Sequence, residues 1–120
     1  MHSELRMHPR MPTKLPAEMI LSEDVSIDVI ILNLSVGGML VEGNDQMFHA
    51  VQAHKPAFPI EVEIYFGLQA LPVRSHCRLI HTVRKRQDLY QMGFKALSMD
   101  EQSSHLIRQT LDDYTLTREL

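Results

Sequence analysis

The feature that most restricts the fold of this chain is an alternation of apolar and polar residues with a period of two. It is clearest over residues 60–66, where every second residue is apolar, until Gly67 interrupts it. Successive side chains of a strand point to opposite faces of a sheet, so this pattern is typical of a strand with one buried face. β-Branched residues dominate a second run, 25–34, which favours strand over helix. In the longest run, 71–83, Val83 is predicted to be the last side chain that points inward.

Together these segments predict about six strands joined by turns, followed by a helix. The predicted strands cover residues 17–22, 25–34, 39–41, 60–66, 71–83 and 90–96, with a short helix over 46–54. After the last strand the period changes, and Leu106, Ile107 and Leu111 recur at the spacing of one helical face. Ser98 and Glu101 fit a capping box, which predicts that the last helix starts at Ser98.

Several short strands at regular spacing favour a small barrel, because closure pairs the edges that an open sheet leaves exposed. The predicted fold class is therefore mainly β, a six-stranded antiparallel β-barrel with a C-terminal α-helix. A length of 120 residues fits one domain with one core. We expect a single domain over residues 1–120, made of an arm (1–16), the barrel (17–97) and the helix (98–116).

The first sixteen residues differ in composition from the rest of the chain. They hold three prolines, which disfavour both helix and strand pairing, and three cations against a single carboxylate. The composition predicts an irregular, mobile, basic arm. A tail that is merely solvated is the alternative.

The charge of the chain limits its partners. The net charge is −3, so any anion site must be local, and no overall attraction to nucleic acid or to an anionic membrane is expected. No apolar run approaches the roughly 20 residues that span a bilayer, and the first residues lack the apolar core of a signal peptide. Cys77 is the only cysteine, which excludes an internal disulfide. These observations predict a soluble, cytoplasmic protein without membrane insertion.

Two arginines, Arg6 and Arg10, lie four positions apart in the arm. A guanidinium is always charged and offers five donors in a planar fork, so it can clamp a phosphate or bind guanine at O6 and N7. At this spacing the two arginines can contact different parts of one ligand. Taken alone, the pattern has little specificity.

A polar pair, Asn33 and Ser35, lies where the second predicted strand ends, and Gly37 and Gly38 follow it. An amide and a hydroxyl can hydrogen-bond the edge of a nucleobase. Glycines let a ligand approach the backbone and permit backbone angles that other residues avoid. The alternative is a strand-ending turn in which Asn33 and Ser35 bond their own backbone.

Together the two motifs resemble the signature of the PilZ domain family, cytoplasmic bacterial receptors for cyclic di-GMP. That signature is RxxxR in an N-terminal arm, followed by [D/N]xSxxG at a strand end. Here residues 6–10 read RMHPR and residues 33–38 read NLSVGG. The last two strands and the closing helix match the family's later layout, so the resemblance covers nearly the whole chain.

The resemblance implies a role for each signature residue. Arg6 and Arg10 would contact the phosphates and guanines of cyclic di-GMP. Asn33 and Ser35 would hydrogen-bond a guanine, and Gly38 would keep the floor of the site open.

The resemblance also implies secondary ligand contacts from Leu5, His8 and Gly37. Leu5 is apolar where some members carry a further basic residue, which favours one ligand per site over an intercalated dimer. The implied function is a receptor or adaptor that changes the conformation of its arm on binding cyclic di-GMP. It would then signal to a protein partner in motility, biofilm, pilus or flagellar control. The alternative is an interaction module of the same fold that works without nucleotide.

Other candidate residues predict no further chemistry. The seven histidines show no HxxH or HExxH spacing, and no nucleophile or acid–base pair is placed by the sequence, so we predict no metal site, no cofactor and no enzyme. A basic stretch runs along the fifth strand to its tip. It consists of Arg74, Arg78, Arg84, Lys85 and Arg86. This stretch extends the ligand surface, binds a partner, or is simply a solvated outer face.

Overall fold

The strands that the alternation predicts close into a barrel. The computed structural model describes residues 9–119. In chain order its elements are β1 Met11–Ser22, β2 Val25–Ser35, β3 Gly38–Gly43, α1 Asp45–His54, β4 Glu61–Leu68, β5 Leu71–Arg86, β6 Leu89–Met99 and α2 Glu101–Glu119. All neighbouring strands are antiparallel, and their order around the closed barrel is β1-β2-β3-β6-β5-β4. The predicted six-stranded antiparallel barrel with a C-terminal helix is confirmed.

The barrel is stabilised by the apolar faces of its strands, which meet in the interior. Each strand contributes a side chain that is at most 2% exposed. These side chains are Met19, Ile31, Val41, Ile64, Val73 and Met92. Burying one side chain of this size contributes about 1.5–3 kcal/mol. Because side chains fill the interior, a ligand has to bind on the outside of the barrel.

The prediction that residues 1–16 form an irregular arm is wrong for its last third. β1 begins at Met11, and Pro12 pairs with Asn33. The strand tolerates its prolines because β1 pairs with β4 only over residues 17–20, so a missing N–H at Pro12 or Pro16 breaks no bond on that side. The first eight residues of the predicted arm lie outside the described residues.

The last helix begins at Glu101, three residues later than the start at Ser98 that the capping box predicts. Ser98 lies within β6 and pairs with His76, so it cannot cap a helix. Asp100 takes this role instead: the Ser103 backbone N–H donates to Asp100 Oδ1 at 2.7 Å, and Ser103 Oγ donates to Oδ2 at 3.2 Å. These bonds lower the pKa of Asp100, the backbone bond most strongly. Leu106 is buried, as the predicted helical face requires. Within residues 9–119, no helix combines the length and hydropathy needed to cross a bilayer.

A bulge in β5 changes which of its side chains point inward. The pairing with β6 shifts between Leu79 and His81, which leaves Ile80 as an extra residue. One extra residue exchanges the two faces of the strand beyond it. Val83, predicted to face inward, therefore points outward and is 43% exposed. Thr82 and Arg84 lie on the opposite face of the strand, the one predicted for Val83.

Candidate functional site

The turn between β2 and β3 is built around Ser35. Its side chain is 5% exposed, and its Oγ donates to the Gly38 carbonyl at 3.3 Å. The same oxygen accepts a hydrogen bond from the Gly37 N–H at 3.1 Å. The hydroxyl thus closes the turn, as in the backbone-bonding alternative, and one lone pair stays open to a further donor.

The two sequence motifs meet at Arg10 and Asn33. Arg10 Nη1 donates to Asn33 Oδ1 at 3.2 Å across 23 positions of the chain. The pairing of Pro12 with Asn33 sets this distance, because it lays the start of β1 along the end of β2. A neutral amide leaves the guanidinium charge uncompensated, and within the described residues Arg10 forms no ion pair with a carboxylate. Arg10 is exposed, and the partner that it has among residues 9–119 is neutral, so it presents a positive charge at the surface.

Gly38 is required by the closure of the barrel. A Cβ built on it would lie 2.1 Å from the carbonyl oxygen of Phe94, on the neighbouring strand β6. The prediction that Gly37 and Gly38 supply unusual backbone angles is wrong, since no glycine in the described part of the chain has a positive φ. Position 38 requires glycine because there is no room for a side chain.

A cleft of about 260 Å³ opens beside this turn, and we call it the signature cleft. Its lining includes Arg10, Gly37, Gly38, His81 and Lys95. The first three come from the predicted motifs. The last two, on β5 and β6, were not predicted as site residues.

His81 packs close against the residue that pairs with it. Its partner across the strands is Gly93, and a Cβ on Gly93 would lie 2.0 Å from His81 Cε1. The imidazole therefore occupies the space that a side chain at position 93 would take. A glycine within the predicted strand 90–96 was the available signal, because glycine in a strand often marks close approach of another group.

The signature cleft combines positive charge with a flat ring. Arg10 and Lys95 are both exposed and line it, and the exposed imidazole of His81 lines it from β5, the strand next to β6. This set of groups can pair with an anionic phosphate and stack on a planar base. Of the other predicted site residues, Leu5, Arg6 and His8 lie outside the described residues.

A separate cluster of charged groups lies on the outer face of β4 and β5. His76 Nδ1 is 2.6 Å from Glu63 Oε2, and His76 Nε2 is 2.9 Å from Glu61 Oε1. Arg78 Nη2 also donates to Glu61 Oε2, at 2.8 Å. Hydrogen bonds to Glu61 and then Glu63 raise the pKa of His76, and the bond from Arg78 is the largest cause that lowers the pKa of Glu61. No group of residues in the described region is arranged to hold a metal ion.

This cluster predicts a pH dependence of stability. Because the pKa of His76 is higher in the folded chain than its ordinary value of 6.5, the protonated imidazole stabilises the fold fully when the pH is below 6.5. This contribution to the free energy of unfolding is lost as the pH rises through the raised pKa. We expect the free energy of unfolding, measured with urea, to decline over that interval above pH 6.5 in the wild type. In His76→Gln the decline should be smaller, whereas the exposed His105→Gln serves as the control. Equal slopes in wild type and His76→Gln would contradict the assignment.

Comparison with known sequences identifies one family. The model of the family described as PilZ domain matches residues 4–115. No curated protein sequence matches this chain.

Comparison with solved structures finds the same barrel in several proteins. The structure of Bacillus subtilis Inhibitor of motility (MotI/DgrA) has a TM-score of 0.74 at 12% identity, over 96% of this chain and 53% of that one. The K. pneumonia MrkH–c-di-GMP complex has a TM-score of 0.71 at 10% identity, over 95% and 54% of the two chains. The PilZ domain of CeSA from a cellulose synthesizing bacterium has a TM-score of 0.60 at 17% identity, over 89% and 98%. The chain thus spans about half the length of the first two structures.

Proposed function

The chain belongs to the PilZ domain family, and we propose that it is a receptor that binds cyclic di-GMP at the signature cleft and passes the signal to a protein partner. The observation that carries the proposal is the hydrogen bond between Arg10 and Asn33, which joins the two halves of the family signature. A solved neighbour of the same fold, MrkH, is a complex with c-di-GMP. The proposal describes a binding module and assigns no catalysis.

In this proposal each group at the signature cleft meets the part of the ligand that suits its chemistry. Arg10 and Lys95 contact the phosphates, because both are exposed cations at the border of the cleft. His81 stacks on a guanine, since its exposed imidazole lines the cleft beside Gly93. The amide of Asn33 bonds a guanine edge and also orients the guanidinium of Arg10.

The size of the cleft supports a site that further residues complete. Its 260 Å³ falls below the 300–1,000 Å³ of pockets that enclose small molecules, so part of a dinucleotide stands outside it. We propose that residues 1–8, with Arg6, close over that part when the ligand binds. A change of the arm on binding is the proposed signal to the partner.

Isothermal titration of cyclic di-GMP into the chain tests this function. We expect saturable heat with a Kd in the micromolar range or tighter. Cyclic di-AMP is the matched control: adenine lacks the O6 acceptor that an arginine fork reads together with N7, so it should bind at least about tenfold more weakly. A titration without heat, on protein shown to be folded by circular dichroism, would overturn the proposal.

A second candidate is an interaction module of the same fold that acts without nucleotide. Two signature residues have structural roles that need no ligand, since Ser35 closes the turn and Gly38 admits the backbone of Phe94. A folded protein that is silent in the titration would favour this candidate.

A further inference from the structure

A second concave surface, which we call the apolar groove, lies between α1, the loop after it, β5 and β6. Its volume is about 320 Å³. The residues that define it include Phe48, Val51, Phe58, Ile60, Ile80 and Met92. Among the described residues, no Asp, Glu, Lys or Arg side chain lines it, so the groove offers an occupant mainly apolar contact.

Two large apolar side chains stand exposed at this groove. Phe58 is 85% exposed and Ile80 is 59% exposed. Ile80 is the extra residue of the β5 bulge, which takes it out of the regular pairing with β6. A cavity bordered by exposed apolar side chains and rimmed by polar residues is typical of a surface that binds a protein.

One end of the groove is bordered by cations. Thr82 lines the groove, and Arg84 follows on the same face about 7 Å farther along the strand. The Arg84 guanidinium lies 5.8 Å from the ring centre of Tyr90, and that ring stacks on Phe48 at 4.4 Å. Because Phe48 is itself part of the groove, these contacts place Arg84 beside it, where Arg84 Nη2 also donates to the Gln87 carbonyl at 3.0 Å.

The positive charge continues beyond Arg84. Lys85 and Arg86 are the next two residues and both are exposed. At this tip Asp88 is the only carboxylate, and it lies 3.7 Å from Arg86 Nε in an exposed pair. The rim therefore keeps an excess of positive charge, although the whole chain is acidic.

We propose that the apolar groove is the docking surface for the protein partner, and that the partner contributes a short amphipathic segment with apolar side chains followed by carboxylates. This inference rests on the partner half of the proposed function. Apolar residues of such a segment would fill the groove between Phe58 and Ile80. Its carboxylates would then meet the rim at Arg84, where charge complementarity fixes the direction of docking.

Two other occupants fit the groove less well. Residues 1–8 of this chain carry Glu4 and Arg6, so they bring no net negative charge to a cationic rim. A second copy related by a two-fold axis would bring an identical patch, with the same cations, to this face. An amphipathic segment of another protein, with apolar side chains and carboxylates, complements both the apolar floor of the groove and its cationic rim.

Selection of peptides from a random phage-displayed library against the full chain, without nucleotide, tests the proposal. We expect the enriched peptides to combine apolar residues with Asp or Glu on one side. Their synthetic forms, measured by fluorescence anisotropy, should bind Phe58→Ser and Arg84→Glu at least about tenfold more weakly than wild type. Enriched peptides that are basic, or that bind both variants as well as wild type, would overturn the proposal.

Matched variants on α2 control for general effects of the substitutions. Leu116 is an exposed apolar residue there, and Arg108 is an exposed cation. Leu116→Ser and Arg108→Glu should bind the selected peptides as wild type does. Peptides with Lys in place of Asp or Glu should recover affinity for Arg84→Glu, which a general loss of structure could not produce.

The Phe58 and Arg84 variants also distinguish failure of the docking proposal from failure of the proposed function. Neither Phe58 nor Arg84 lines the signature cleft, so both variants should keep the wild-type titration with cyclic di-GMP. A chain that binds the peptides but not the nucleotide would contradict the receptor function and retain the docking surface. Light scattering that shows a dimer lost in Phe58→Ser would overturn the docking of a foreign segment in favour of a second copy.

Discussion

Replacement of Arg10 by alanine is expected to weaken the binding of cyclic di-GMP by at least about tenfold, and the double variant Arg6→Ala, Arg10→Ala should bind no measurable nucleotide. A charge-assisted or bidentate arginine contact is worth about 1–3 kcal/mol, and each 1.4 kcal/mol is a factor of about ten. Arg10 can make this contact because its partner within residues 9–119 is the neutral amide of Asn33. Isothermal titration of each variant measures the effect.

Two controls separate the fork of Arg10 from its charge. Arg10→Lys keeps the charge and loses the planar fork, so it should recover only part of the affinity. Lys14→Ala removes an exposed cation four residues farther along the chain, on β1 and away from the signature cleft, and should bind as wild type does. If Arg10→Ala binds as tightly as Lys14→Ala, the proposed site is wrong.

Gly38→Ala is expected to lower the free energy of unfolding by about 3 kcal/mol, at the upper end of the cost of overpacking. The added Cβ would meet the Phe94 carbonyl oxygen at 2.1 Å, and that oxygen belongs to the backbone of β6. No side-chain rotation can relieve the contact, so β3 and β6 have to separate where the barrel closes. Urea unfolding followed by circular dichroism gives the change in stability.

Gly67→Ala is the matched control for this substitution. Gly67 also lies in a strand, but its added Cβ would be 3.8 Å from the nearest atom, the Leu71 carbonyl oxygen, which is ordinary contact. The control should change stability by no more than about 1 kcal/mol. Equal losses in both variants would show that the contact at Gly38 is not the cause. Nucleotide binding by Gly38→Ala has to be compared at equal folded fraction, because unfolding alone removes the site.

The barrel could be predicted from the sequence because its signal is local. Alternation within residues 60–66 fixes which face of β4 is buried without reference to any other strand. The errors arose where the outcome depended on a neighbouring strand. Val83 was assigned to the wrong face because the bulge at Ile80 is a property of the β5–β6 pairing. Ser98 was assigned to a cap because β6 continues past it while paired to β5.

The candidate site was predicted to the extent that it lies in contiguous motifs. Arg10 and Asn33 were both named, and the structure brings them into contact. His81 and Lys95 were not, because they reach the signature cleft only through the registers of β5 with β6 and of β6 with β3. The role of Ser35 was left between two alternatives, since the sequence does not reveal which neighbours its hydroxyl will find.

Ile80 and His81 border both the signature cleft and the apolar groove, so one pair of side chains separates the two concavities. An occupant of either concavity that repositions this pair alters the free energy of filling the other. In the proposed receptor, thermodynamic reciprocity then makes the factor by which cyclic di-GMP changes the affinity of the partner equal to the factor by which the partner changes the affinity of cyclic di-GMP. The messenger concentration to which the cell responds would therefore be set jointly by this chain and the protein docked beside it.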